Sequence, residues 1–159
     1  MHNGVCIDLW AVWKWYMIDK IYNRLEKYSE KFIVNFGWDL RVKWKHIIGL
    51  EDPLNSKKVI WKIHIDSLSF ACSSGNKRKF WANHHLINPK NKQSENNKIA
   101  VYTTHRLASF SDIFATALFI SPLEKSIEIL RKTKGLEWFI ISKSGDIYKS
   151  KWFTSLLHM

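Results

Sequence analysis

Apolar positions recur along the chain at two spacings, and these predict helices and strands. Between residues 13 and 31 apolar side chains return every three or four positions, which indicates an amphipathic helix. Residues 40–48 and 59–65 alternate apolar with basic side chains, which predicts a hairpin with one wet face. Short apolar runs predict four further strands at 5–10, 32–36, 99–104 and 136–142.

The second half of the chain adds two predicted helices. A short one covers 111–120, and another begins at Ser121-Pro122 and ends before Gly135. Residues 66–75 are mostly small and polar, so a turn or a crossing connection is expected there, and 145–159 is expected to be an exposed tail. The resulting order is strand, helix, strand, basic loop, strand, helix, strand. It predicts a single α+β domain over 1–159 with a ferredoxin-like split β-α-β arrangement.

The net charge is strongly positive and favours a polyanionic partner. Lys and Arg number 25 against 14 for Asp and Glu, which gives +11, and the pI is about 9.7. The basic residues lie in loops and hairpin arms rather than along one helix face, and no apolar run approaches the length of a membrane span. The sequence therefore favours nucleic acid over a membrane as the partner.

The segment 77–107 carries short motifs around a basic loop, which we interpret as a long β-hairpin finger. It contains Asn88-Pro89, then Lys92-Gln93-Ser94, and closes with Thr-Thr-His-Arg-Leu at 103–107. Lys-Arg-Lys-Phe at 77–80 precedes them. In order and spacing these motifs, with Pro122, Lys-Ser-Ile-Glu at 125–128 and Gly135, resemble those of the small ribosomal subunit protein S-ten family.

That resemblance implies a structural constituent of the ribosome that catalyses nothing and needs no cofactor, metal or small-molecule substrate. Its partners would be ribosomal RNA of the small-subunit head and proteins of the S-three, S-nine and S-fourteen types. Residues 38–74 have no counterpart in that family and are interpreted as an inserted hairpin, and 145–159 as a C-terminal extension. Such additions indicate a mitochondrial-type member.

Ribosomal RNA is bound mainly through phosphate and 2′-hydroxyl contacts and by stacking on exposed bases. Basic side chains would meet phosphates, neutral histidines would hydrogen-bond, and Trp81 could stack on a base, although packing under the finger is the favoured role for its ring. The predicted RNA-binding residues are Lys77, Arg78, Lys79, Trp81, His84, His85, Lys90, Lys92, Lys98, His105 and Arg106.

Two alternatives remain open from the residues alone. His85, Asn96 and His105 follow the order of an HNH motif, which would make the chain a metal-dependent nuclease. The same fold could also serve as a free RNA-binding regulator outside the ribosome.

Composition bears on the origin of the gene. Nine tryptophans accompany 20 lysines and 5 arginines, which suggests an A+T-rich gene in a genome that reads an extra codon as tryptophan. With no leader-like N-terminus, this favours a protein encoded and used in a mitochondrion. Cys6 and Cys72 form no metal-binding pattern, and two small buried side chains are favoured over a disulfide.

Overall fold

The computed structural model describes residues 10–37, 39–75, 79–81 and 83–158. Its helices are α1 (Trp10–Leu25), α2 (Ala108–Ile120), α3 (Leu123–Lys132) and α4 (Lys151–Leu156). Its strands are β1 (Phe32–Asn35), β2 (Leu40–Lys43), β3 (Lys45–Asp52), β4 (Asn55–Asp66), β5 (Ser69–Ser74), β6 (Lys79–Phe80), β7 (Asn83–His84), β8 (Ile87–Asn88), β9 (Gln93–Ser94), β10 (Lys98–His105), β11 (Glu137–Ser142), β12 (Ile147–Lys149) and β13 (Leu157–His158). Most of the predicted strand 5–10 lies outside the described residues, and Trp10 begins α1.

The fold is α+β with a mostly antiparallel main sheet. Six strands lie in the order β1-β2-β5-β10-β11-β12, and a second sheet has the order β13-β4-β3. Strand β10 occupies the middle of the main sheet, where Thr103 faces Ala71 of β5 on one side and Trp138 of β11 on the other. Within the described ranges, no helix has the length and hydropathy needed to cross a membrane.

Both faces of the main sheet are buried. Successive side chains of β10 and β11 point to opposite sides of the sheet, and each side has its own core. Val101 and Ile140 pack with Leu118 and Phe119 of α2 and with α3. Tyr102 and Phe139 point the other way, into a core that the β3–β4 hairpin shares with Phe153 of α4. A third cluster, built on Trp15, Ile18 and Tyr22, joins α1 to β1 and to the start of α2.

Some predicted elements are confirmed and others are wrong. The hairpin is present as β3–β4, but the chain leaves β2 for it at Trp44. The turn or crossing connection predicted at 66–75 is wrong, because β5 is an inner strand of the main sheet whose serines are buried. The exposed tail is also wrong, because Phe153 is fully buried. The sequence pattern did not indicate β5 or α4, because β5 carries small polar residues and α4 is short.

Candidate functional site

Helix α2 meets β5 through small hydroxyl side chains. Ser69 Oγ lies 2.6 Å from Ser111 Oγ, and further along the same face Ser73 Oγ lies 3.2 Å from Thr116 Oγ1. Thr103 of β10 donates to the backbone carbonyl of Ser111 at 2.7 Å. Because each hydroxyl has a partner, these polar groups are buried at low cost. The pairs fix which face of α2 is turned to the sheet.

The N-terminus of α2 is held by the Asp19 carboxylate of α1. Its Oδ1 accepts from the backbone N–H of Ala108 at 2.9 Å, and its Oδ2 accepts from the N–H of Ser109 at 3.1 Å. Leu107 at the N-cap position makes no side-chain hydrogen bond to the helix, so the cap comes from a distant part of the chain. Arg41 completes the arrangement, with Nη1 2.8 Å from Asp19 Oδ1.

Two acidic side chains and one lysine interact near this end of α2. Asp39, buried in the loop before β2, forms an ion pair with Lys14 of α1 at 2.8 Å. Burial raises the pKa of Asp112, which lies on α2 one turn after its first residue, to about 8, and the negative charge of Asp39 adds to the rise while Lys14 opposes it. Asp112 is therefore largely protonated at neutral pH in the protein alone.

This cluster offers oxygen donors to a hard cation such as Mg²⁺. Thr116 lies one turn after Asp112 on α2, beside Ser73 of β5. A cation nearby would favour the ionised form of Asp112, whereas burial and the charge of Asp39 favour the protonated form. Over the part of the chain described, no group of three or more His, Cys, Asp or Glu side chains is placed to hold a metal. A cation held by Asp39 and Asp112 would therefore need hydroxyl, carbonyl, water or substrate oxygens as well.

The loop after β5 is folded back onto the core by His84. The Nδ1 of His84 accepts from the Leu86 N–H at 3.1 Å, so the ring hydrogen is on Nε2, which donates to the Glu95 carbonyl at 2.6 Å. The ring meets Phe119 of α2 edge-on at 5.6 Å. A Cβ at Gly75 would lie 2.6 Å from His84 Cδ2, so only glycine leaves room for the imidazole.

The other end of α2 is held by Lys98. This side chain is only 4% exposed, and its Nζ donates to the carbonyls of Phe119 and Ser121. A cation at a helix C-terminus is favourable because free carbonyls concentrate negative charge there. Burial lowers the pKa of Lys98, and the carboxylates of Glu95 and Glu124 oppose that shift.

The predicted RNA-binding residues lie in different environments. His84 and Lys98 are buried and His105 is half-buried, so these three face protein groups. The exposed members are Trp81, His85, Lys90, Lys92 and Arg106. Lys77 and Arg78 lie outside the described residues, and Lys79 begins β6.

The residues of the nuclease alternative contact separate neighbours. His105 stacks on Phe110 with ring centroids 4.9 Å apart, and its Nδ1 accepts from the Leu107 N–H. Burial lowers the pKa of His105. The Asn96 amide donates to the Ser94 carbonyl at 3.2 Å. His85 lies on the exposed side of the same loop. These contacts stabilise the loop and the α2 region and do not converge on an ion within the described ranges.

The sequence interpretation missed the acidic cluster. In the sequence Lys14 belongs to an ordinary amphipathic helix pattern, and Asp39 falls in the segment 38–74 that the sequence predicts to be an insertion. One signal was present, since Asp112 interrupts the most apolar stretch of the chain, 108–122. An ionisable side chain inside an apolar helix indicates either a buried partner or a functional group.

Comparison with known proteins points to one family. The family model described as "ApbE family" matches residues 1–140. The fold is similar to the crystal structure of an ApbE protein from Thermotoga maritima, with 25% identity and a TM-score of 0.86 over 99% of this chain and 55% of that one. No curated protein matches the sequence.

Two further solved structures share the fold. A flavin transferase ApbE from Vibrio cholerae is 18% identical with a TM-score of 0.73, covering 91% of this chain and 50% of that one. The flavinyl transferase ApbE of Pseudomonas stutzeri is 20% identical with a TM-score of 0.72, covering 94% and 51%. The chain thus spans about half the length of the solved proteins it matches.

These findings overturn the ribosomal interpretation. Membership in the S-ten family is wrong, because the family model that matches is a different one. The expected partners, ribosomal RNA and small-subunit proteins, are wrong for the same reason, and so is the nuclease alternative. The expectation of a protein that catalyses nothing is wrong for this family, since solved members are named as flavin transferases. Short basic motifs in a loop were too common to identify a family.

Proposed function

The chain belongs to the ApbE family, and from that membership we propose that its Asp39–Asp112 cluster takes part in transferring a flavin group from a flavin nucleotide to an acceptor. The observation that carries the proposal is the match over residues 1–140, which includes α1, the loop before β2, β5 and α2, the parts of the chain that build the cluster. Similar folds named as flavin transferases support it.

The chemistry of the cluster suits a phosphate-bearing substrate. Flavin nucleotides carry phosphate. Transfer of a flavin phosphate would form a bond from an acceptor atom to phosphorus and break the bond from phosphorus to the departing part of the nucleotide, and a cation can stabilise the negative charge that develops. Asp112 and Asp39 would hold a divalent cation together with neighbouring hydroxyl oxygens, and Lys14 would remain as the counter-charge of Asp39. Bound Mg²⁺ would supply charge neutralisation for the phosphate. The chain itself would supply the position of the carboxylates, through the capped start of α2.

The remaining positive charge of the chain supports the same class of ligand. A net charge of +11 raises the local concentration of anions by long-range attraction. The basic side chains first interpreted as RNA contacts, such as Lys90 and Lys92, are exposed near the loop that His84 holds in place. These lysines can attract a nucleotide through long-range electrostatics without contacting it directly.

Binding is the appropriate first measurement, because the chain spans about half of its solved relatives. Fluorescence titration with FMN and with FAD, each with and without Mg²⁺, compares the protein with its Asp112→Asn variant. We expect Mg²⁺-dependent binding that weakens at least tenfold in the variant. Glu128→Gln provides a control, since this exposed carboxylate forms an ion pair with Lys132 in the same helix at 2.6 Å.

Two results would count against the proposal. One is a folded protein that binds neither flavin nucleotide at millimolar concentration with Mg²⁺ present. The other is binding that is equal in the protein and in Asp112→Asn, which would place the flavin away from this cluster.

A further inference from the structure

Two tryptophans have backbone conformations that tryptophan rarely adopts. Trp44 has φ of +76° and Trp81 has φ of +61°. In this region the Cβ of an L-residue crowds the backbone, and for a bulky side chain the conformation is a true outlier. Among the described residues only four non-glycine residues have positive φ, and these two tryptophans are half of them.

The fold requires both conformations. At Trp44 the chain leaves β2 in the main sheet and enters β3 in the second sheet. Trp81 is the first residue of the two-residue turn between β6 and β7, where Phe80 pairs with Asn83. Tight hairpin turns of this length need positive φ at their first central position and therefore favour glycine, or asparagine and aspartate.

Neither indole gains much burial in return. Trp81 is 89% exposed and Trp44 is 51% exposed, the latter with the Lys31 ammonium 5.3 Å from its ring. The backbone strain is therefore not offset by packing of the side chain.

A third tryptophan is unfavourable for a different reason. Trp15 is only 5% exposed, and its Nε1 hydrogen is buried without a hydrogen-bond partner. A buried indole N–H group usually has a hydrogen-bond partner, because without one the cost of removing the group from water is not offset. Trp15 directly follows Lys14 in the proposed site.

The composition shows a matching imbalance. The chain has 6 glycines and 9 tryptophans. Ordinary usage of glycine, about 7%, would give about 11 in a chain of this length. Glycine is thus about five residues below ordinary usage, in a chain that has more tryptophans than glycines.

From these observations we propose that glycine, not tryptophan, occupies positions 44 and 81 in the protein made by its own cell, because the codon there is read as glycine. UGA, a stop codon in the standard code, would be that codon, and tryptophans specified by UGG would be genuine. This inference is independent of the proposed flavin transfer, and it reverses the earlier interpretation that an extra codon means tryptophan.

Other tryptophans serve as the contrast. Trp61 packs against Phe139 with ring centroids 4.9 Å apart, and Trp138 lies partly buried against the α2–α3 core. Both have ordinary backbone conformations, because neither is among the positive-φ residues. The proposal therefore requires UGG at 61 and 138 and UGA at 44 and 81.

The gene and the native protein give the direct test. We expect the codons to divide as stated, and tryptic peptides from the source cells to have the mass of glycine at 44 and 81. A gene with UGG at all four positions, or native peptides carrying tryptophan at 44 or 81, would overturn the proposal.

Recombinant variants test the physical premise separately. Glycine and alanine differ only by the Cβ, so Trp44→Gly should melt about 2–4 °C above Trp44→Ala, and the same should hold at position 81. At Trp61 both variants should melt below the parent protein, because a packed ring is lost. If alanine at 44 and 81 were as stable as glycine, the backbone argument would be refuted.

Discussion

Asp19 accepts a hydrogen bond from the backbone N–H of Ala108, 89 residues further along the chain, at 2.9 Å. Through this bond one carboxylate of α1 fixes where α2 begins, and thereby the position of Asp112, one helical turn after Ala108. The same carboxylate neutralises Arg41, which is 8% exposed. A cap, a charge pair and the placement of the acidic cluster thus depend on one side chain.

Replacing Asp19 should therefore destabilise the fold. Asp19→Ala removes the cap of α2 and leaves the Arg41 charge buried without its partner, at a combined cost of about 3–5 kcal/mol. Asp19→Asn keeps an acceptor for the helix but not the charge, so we expect an intermediate loss. Urea denaturation measures both. Glu128→Ala serves as the control, because an exposed pair within one helix contributes about 0.2–0.5 kcal/mol. Equal effects of Asp19→Ala and Glu128→Ala would contradict the assigned role.

Stability should fall as the pH rises, because of Asp112. Its pKa of about 8 in the folded protein lies above the ordinary value of 3.8, so the folded state keeps a proton that the unfolded state releases. The contribution is complete below about pH 4 and is lost as the pH rises through 8. Asp112→Asn cannot ionise, so it should remove this slope and be the more stable form at pH 9 in EDTA. Thermal melts of both proteins at pH 5, 7 and 9 test this prediction. If the melting temperature changed with pH equally in the parent and in Asp112→Asn, Asp112 would be ionised at neutral pH and the prediction would be wrong.

Gly75 and His84 should behave as a coupled pair. A Cβ at position 75 would lie 2.6 Å from the ring, so Gly75→Ala must displace the imidazole from its bonds to Leu86 and Glu95, at about 1–3 kcal/mol. With His84→Ala present, the same alanine has room and should cost much less. A double-mutant cycle by urea denaturation measures the coupling. Additive effects of the two substitutions would mean that the close approach is not what requires glycine.

Elements with strong hydrophobic periodicity could be predicted from the sequence, whereas their roles could not. The spacing between residues 13 and 31 identified α1, and apolar runs identified β10 and β11 to within about one residue. The ferredoxin-like arrangement remains a prediction. The sequence predicts a turn or crossing connection in place of β5 because Ser69, Ser73 and Ser74 are residue types typical of loops. Their hydroxyls are satisfied by partners on α2 and β10, which only the tertiary structure supplies.

The candidate site could not be predicted because its parts are distant in sequence and ordinary in composition. Asp39 follows a glycine turn, Asp112 interrupts an apolar helix and Lys14 lies in an amphipathic one. Their chemistry comes from burial and mutual charge, which have no local sequence pattern. The basic loop was conspicuous in sequence, yet its residues His84 and Lys98 are buried structural groups. A surplus of positive charge limits the class of ligand but does not locate the site.

Lys98 should prove structural rather than a contact for anions. Its Nζ donates to the carbonyls of Phe119 and Ser121 at the end of α2, and Lys98→Met keeps the length of the side chain but leaves both acceptors without that donor. We expect a loss of about 1–3 kcal/mol in urea denaturation at pH 7. Burial lowers the pKa of Lys98, so the unfolded state binds this proton more tightly than the folded state does. The free energy of unfolding of the parent protein should therefore rise as the pH increases from the lowered pKa to the ordinary 10.5. Lys98→Met should lack this rise. Lys125→Met, at an exposed position, provides the control. If Lys98→Met were as stable as that control while flavin nucleotide binding fell, the ammonium would belong to the binding site instead.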